Sequence, residues 1–225
     1  LRTRTTVRFD KGLDSDVVMM GDRAIGGPQR DRITRFLDRV RGAAGVKFGA
    51  TVQTHNDFPT AAGIASSASG FAALAAASTR ALNLDMDTQG LSVLARLGSG
   101  SAARSVFGGF VEMLPGTRND GSDAHAVQVL PEDHWDLVCF VVLTATGEKA
   151  LGSTEAMVQT ARTSPYYQAW IDSVPRDIGK AKLAAMERNF GALGTVSEHS
   201  CLKFHASALA ADPGILYWRG LTVEI

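Results

Sequence analysis

Residues 58–82 read F-P-T-A-A-G-I-A-S-S-A-S-G-F-A-A-L-A-A-A-S-T-R-A-L. A Pro-Thr turn leads into small residues around Gly63, then the hydroxyls of Ser66, Ser67 and Ser69, then Gly70. The Ala-rich run beyond them favours helix, and Phe71, Leu74, Ala75, Ala81 and Leu82 share its apolar face. The helix therefore starts inside the Gly/Ser stretch, so its first unpaired N–H groups and the positive end of its dipole lie at the loop. Such a loop suits an anion, above all a phosphate, because small residues let the backbone approach the oxygens and serine hydroxyls add donors. The competing reading is an ordinary serine-capped helix packed through small residues. It is not a Walker A loop, since no lysine follows a glycine at the required place.

The segment P-T-A-A-G-I-A-S-S-A-S-G, residues 59–70, closely resembles the phosphate loop of the GHMP kinase superfamily, in the form carried by diphosphomevalonate decarboxylases. The kinases of that superfamily favour glycine where this chain has Ala61, Ala62 and Ala65. A second stretch, G-S-G-S-A-A-R-S from Gly98 to Ser105, is also similar to the family, as is H-A-S-A-L-A-A-D-P-G-I-L-Y-W, residues 205–218. The resemblance implies an α+β GHMP kinase fold. Its first part is a ribosomal-protein-S5-domain-2-like domain, and its second is a ferredoxin-like α/β domain. With Arg118–Ser122 read as a polar seam, the domains become residues 1–122 and 123–225.

The same resemblance implies the chemistry. ATP phosphorylates the 3-hydroxyl of mevalonate 5-diphosphate, and loss of that phosphate drives decarboxylation to isopentenyl diphosphate. The backbone of Ala62, Gly63, Ile64, Ala65, Ser66, Ser67, Ala68 and Ser69 is assigned to the ATP phosphates, with the hydroxyls of Ser66 and Ser67 also toward Mg²⁺. Arg104 is assigned to the substrate carboxylate, a task that suits its planar fork. Ser101, Ser105 and Ser69 are placed beside the substrate. One departure stands out: Ala103 replaces the Ser or Cys that usually precedes this arginine, which implies a lost hydrogen bond to substrate. The family's catalytic aspartate and its lysine have no counterpart in the 225 residues, and both ends read as cut through structure. If these residues were the whole molecule, turnover would fail for want of a base. Alternatives within the family are a mevalonate 3-kinase and a phosphomevalonate decarboxylase. From another class comes a non-catalytic nucleotide-binding fragment.

Composition narrows the partners. Lys plus Arg and Asp plus Glu both number 23, so no overall charge recommends a nucleic acid or a membrane surface. The longest strongly apolar run, Leu137–Leu143, is too short to span a bilayer. The two cysteines, Cys139 and Cys201, read as buried or partly buried thiols and suit a reducing cytoplasm. The resembled enzymes imply a homodimer.

The remaining elements follow from pattern. Arg2–Phe9 and Asp14–Met20 read as strands, Arg30–Val40 as a helix, and Val46–Val52 as a half-buried strand. Thr88 is the expected cap of a helix through Leu97, and strands are expected at Phe110–Leu114 and Ala126–Leu130. Leu137–Thr144 reads as a fully buried strand. Ser153 should cap a helix ending near Ser164, Pro175 should start another, and Phe190–Ala211 should form the last. Cys201 and His205 share a face of that last helix, but without a second ligand pair they read as packing residues.

Overall fold

The computed structural model describes residues 2–58, 66–142, 144 and 151–225. The chain forms two compact units, Leu1–His134 and Trp135–Ile225.

In the first unit, β1 (Thr3–Asp10), β2 (Val17–Met20), β3 (Arg23–Ala24) and β4 (Gly49–Asn56) make one sheet in the order β1-β4-β2-β3. β4 runs antiparallel to β1, with Val7 opposite Val52, and parallel to β2. A parallel neighbour needs a crossover, and helix α1 (Gly27–Ala44) supplies it. Phe36, Leu37 and Val40, spaced three to four apart, give α1 its buried stripe. The helix runs one turn past Val40 and closes on Gly45, whose φ of 67° is left-handed.

β4 begins at Gly49, later than the alternation of Val46 and Phe48 suggests. The Arg41 guanidinium takes the Phe48 carbonyl at 2.9 Å, and Gly49 N–H donates to Leu13 O at 2.8 Å. A Cβ on Gly49 would stand 2.7 Å from Ser15 O, so only glycine allows this crossing. Beside it, buried Asp16 pairs with Arg41 and accepts from Ala50 N–H at 2.8 Å. This buried pair ties the approach to β2 to both α1 and β4.

Helices α2 (Ser66–Ala81) and α3 (Thr88–Gly98) follow. On α2, Phe71, Leu74 and Ala75 are buried as the spacing predicts and Leu82 packs against the core, whereas Ala81 is exposed. Asn83, at φ 51°, ends the helix. The cap of α3 is Asp87, not Thr88: its carboxylate accepts from Gly90 N–H at 2.7 Å. After α3 a 3-10 turn spans Gly100–Val106, and β5 (Phe110–Met113) pairs antiparallel with β6 (Ala126–Leu130). Arg118–Ser122, the expected seam, lies in the connection between these paired strands, inside the first unit.

The described residues of the second unit are helical: α4 (Ser153–Thr163), α5 (Tyr167–Met186), α6 (Phe190–Leu209) and α7 (Gly220–Glu224). The strands of a ferredoxin-like layer are not among them. Leu137–Val142 is not a strand, and Val138 and Phe140 are 75% and 88% exposed. An apolar run becomes a buried strand only with a ladder partner, and no described residue pairs with this one. Cys139 and Cys201 are both exposed, which overturns their reading as buried thiols.

The cap of α4 is Gly152 rather than Ser153. Pro175 sits inside α5, which begins at Tyr167 directly after the Ser164-Pro165-Tyr166 turn. A proline there loses one backbone bond, an expense of about 3 kcal/mol that the packing of α5 on α6 must offset. Asp177 and Lys203 join these two helices by an ion pair, and Trp170 meets Phe204 edge-on at 5.6 Å. Ala156, Ala208, Ala211 and Ile215 form the small core, against which Leu151 and Tyr217 pack.

Candidate active site

Ser66 is the first residue of α2, and the first turn of this helix carries no acidic side chain. Its N–H groups and dipole are thus free of a competing carboxylate, which is what an incoming phosphate requires. Ala62, Gly63, Ile64 and Ala65, assigned to the same loop, lie outside the described residues. Ala68 is buried beneath the turn, while Ser67 is exposed.

The three serines of this turn have different settings. The Ser69 hydroxyl lies 2.7 Å from Thr3 Oγ1, and Thr3 itself donates to Asn56 Oδ1 at 2.6 Å. Ser69 is thereby held to the ends of β1 and β4 and acts first as an anchor for the helix start. Ser67 turns the other way: its Oγ is 3.2 Å from Ser99 Oγ, which is 3.5 Å from Ser101 Oγ. Ser66 shows no side-chain partner among the described residues and remains available to a ligand.

This row of hydroxyls joins the α2 terminus to the 3-10 turn. Within the turn, Ala102 and Ala103 are fully buried, whereas Arg104 and Ser105 face solvent and Ser101 is half-buried. Burial of the alanines fixes the outward direction of Arg104. The same burial corrects one expectation: side chain 103 faces the interior, so Ala103 removes no hydrogen bond to a substrate. Arg104 makes no ion pair with any described residue. An exposed arginine on a rigid turn, one short step from a phosphate-type helix end, is a ready receptor for a carboxylate.

Four contributors were not legible as site residues. Thr3 and Asn56 lie more than fifty residues apart in sequence and meet only through β1–β4 pairing. Ser99 was inside the second quoted motif but carried no individual signal. Nothing in the sequence singles out Arg32 on α1, yet it lies against Phe71 and the end of α3. Its guanidinium lies 4.8 Å over the Phe71 ring and donates to Gly98 O at 2.7 Å. Burial, and then the neighbouring Arg35, lowers the pKa of Arg32 from its ordinary value. A Cβ on Gly98 would stand 2.1 Å from Phe71 Cδ1, so glycine is required where the ring slides under the end of α3.

Other concavities lie elsewhere. One groove of about 500 Å³ lies around Asp14–Asp16 and Arg41, and another of about 340 Å³ lies between α5 and α6. Among the described residues no cluster of His, Cys, Asp and Glu is built to hold a metal, and no helix is long and apolar enough to cross a membrane. Ser66 and Ser67, whose hydroxyls the sequence assigns to Mg²⁺, stand in the first turn of α2.

A family model for the diphosphomevalonate decarboxylase-like N-terminal domain matches residues 1–126, and a model for the mevalonate 5-diphosphate decarboxylase C-terminal domain matches residues 139–225. The chain belongs to the diphosphomevalonate decarboxylase family. Its fold is accordingly the α+β GHMP kinase fold. It is 41% identical, over its whole length, to the diphosphomevalonate decarboxylase of Ganoderma lucidum, of which it spans 60%. A phosphomevalonate decarboxylase from Haloferax volcanii is 32% identical over 99% of the chain, which covers 67% of that relative. Among solved structures, mevalonate diphosphate decarboxylase from Staphylococcus aureus superposes with a TM-score of 0.89 at 34% identity, covering 99% of this chain and 67% of that one. A second, at 36% identity and the same TM-score, covers 99% of this chain and 68% of its own and is described as "MDDEF in complex with MVAPP, AMPPCP and Magnesium".

Proposed function

We propose that this protein is an ATP-dependent decarboxylase that converts mevalonate 5-diphosphate to isopentenyl diphosphate, ADP, phosphate and carbon dioxide. The observation that carries the reading is the hydroxyl row from Ser67 through Ser99 to Ser101. It links the start of α2 to the turn that carries Arg104, which has no ion-pair partner among the described residues. ATP supplies the phosphoryl group that converts a poor leaving group, a tertiary hydroxide, into a good one, with Mg²⁺ offsetting the charge.

The chain's own part is positioning. The α2 terminus and the hydroxyls of Ser66 and Ser67 hold the nucleotide phosphates, and Ser69 secures that terminus to the sheet. Arg104 grips the carboxylate in two places, with Ser101 and Ser105 at its flanks, and so aligns the carbon–carbon bond that breaks. As carbon dioxide leaves, the electron pair of that bond forms the new double bond and expels the 3-phosphate. The complex of a relative with MVAPP, AMPPCP and magnesium supports the same ligand set.

The Haloferax volcanii relative favours a second reading in which the substrate carries a single 5-phosphate. Release of ADP and carbon dioxide by the full-length protein, measured in parallel on mevalonate 5-diphosphate, its monophosphate and mevalonate, separates the two. Joint release with the diphosphate alone supports the first. ADP without carbon dioxide would instead make the protein a 3-kinase, and silence with all three refutes the assignment. Two free thiols are in keeping with a cytoplasmic protein, and membership in the family with a homodimer, which light scattering on the full-length protein tests.

A further inference from the structure

Three buried hydroxyls on helices of this protein bond within their own helix. Ser78 donates to Leu74 O at 2.7 Å, Thr79 to Ala75 O at 2.8 Å, and Thr160 to Ala156 O at 2.8 Å. This is the ordinary fate of a buried hydroxyl on a helix. Ser92, in the middle of α3 and fully buried, does otherwise. Its hydroxyl leaves the helix in both of its roles, donating to Ala103 O at 2.9 Å and accepting from Ala126 N–H at 2.9 Å.

Both partners bear on the site. The Ala103 carbonyl belongs to the peptide unit that continues into Arg104, so the bond from Ser92 fixes the plane from which Arg104 projects. Ala126 is the first residue of β6. One turn further along α3, Arg96 donates to Ala124 O at 2.9 Å and to Gly121 O at 2.8 Å, so the segment leading into β6 is clamped to the same helix. At its two ends the 3-10 turn is closed by Ala102 N–H to Ser99 O and Phe107 N–H to Arg104 O. The bond from Ser92 ties this turn to α3.

We propose that Ser92 is a positioning residue: through its hydroxyl bridge from Ala103 to Ala126 it holds the peptide of Arg104 in the orientation that receives the substrate carboxylate. The proposal rests on the assignment of Arg104 made above. A serine serving packing alone would be replaceable by a residue of like size without effect on substrate.

The test is calorimetric binding of mevalonate 5-diphosphate and, separately, of ATP to full-length wild type, Ser92→Ala, Ser92→Cys, Arg104→Ala and the Ser92→Ala/Arg104→Ala double variant. Ser92→Ala should weaken binding of the diphosphate about tenfold, because two buried partners lose their bond, and leave ATP affinity unchanged. Ser92→Cys, close in volume but a weak hydrogen-bonding group, should do the same, and it carries the test if the alanine variant does not fold. In the Arg104→Ala background the further loss should be less than twofold, since a residue acting through Arg104 has nothing left to position. Unchanged affinity in the cysteine variant, or an equal loss with and without Arg104, overturns the proposal. Wild type that fails to bind the diphosphate, or an Arg104→Ala variant that binds it as wild type does, would instead refute the parent assignment, and the role of Ser92 would fall with it.

Discussion

Gly98→Ala tests whether the floor of the site is packed as tightly as the structure shows. The residue ends α3 and does not need a left-handed backbone, so on conformational grounds alanine should help by roughly 0.5–1 kcal/mol. Packing argues the opposite. The new Cβ would lie 2.1, 2.5 and 2.8 Å from Phe71 Cδ1, Cγ and Cε1. Carbon atoms rest about 3.5–4.0 Å apart, so the ring must retreat by more than about an ångström. It cannot do so freely: Phe36 meets it edge-on at 5.4 Å and Arg32 lies 4.8 Å over its face. Overpacking of this kind costs about 1–3 kcal/mol, so the net loss should be about 1–2 kcal/mol. In urea this lowers the midpoint by roughly 0.5–1 M for a slope of about 2 kcal/mol/M. Gly42→Ala provides the control, being exposed in α1 with nothing within 4 Å of its new Cβ, and should stabilise. If Gly98→Ala matched Gly42→Ala in raising the midpoint, the close approach of Phe71 to α3 would be refuted.

Arg104→Ala should cost about 2–5 kcal/mol in kcat/KM for mevalonate 5-diphosphate, as truncation of one partner of a charge pair does, while the KM for ATP stays within about twofold; an unchanged kcat/KM would dismiss Arg104 as the carboxylate receptor. Asp16→Ala leaves Arg41 buried with only Asp38 and the Phe48 carbonyl, and urea unfolding should show a loss of about 3 kcal/mol, whereas less than about 1 would mean that the pair is not buried in solution. Asp123 is held at about 2 by the Thr117 N–H first, then by the Arg118 N–H and the Thr117 hydroxyl. Its folded pKa is lowered, so its contribution is present above about pH 4 and disappears as pH falls toward 2. Asp123→Asn should flatten the acid limb of a stability–pH curve over that window, and an unaltered limb would contradict the assignment.

Much of the first unit could be read from local pattern, because local pattern is what forms its elements. The 3-4 spacing of Phe36, Leu37 and Val40 sufficed for α1, and the Ala-rich run sufficed for α2. Pattern failed where an element depends on a partner. The apolar run at 137–142 has strand chemistry but no described ladder, so it stays exposed. Pro175 has the chemistry of a helix start, yet α5 was already formed eight residues earlier, and packing on α6 keeps it continuous. Asp87 took the cap from Thr88 because the nearer carboxylate reaches Gly90 N–H.

The same division runs through the site. Sequence alone determined the phosphate-type loop opening α2, the arginine of the second motif and the family to which both belong. Those are properties of contiguous residues, where spacing along the chain is also spacing in the element. Tertiary structure decided that Ser69 anchors to Thr3 while Ser67 reaches Ser99, that Ala103 points inward, that Arg32 reaches Gly98 O and that Ser92 reaches Ala103 O. Each of these depends on side chains brought together across strand pairing or helix packing. Their hydrogen bonds exist only once the chain has folded.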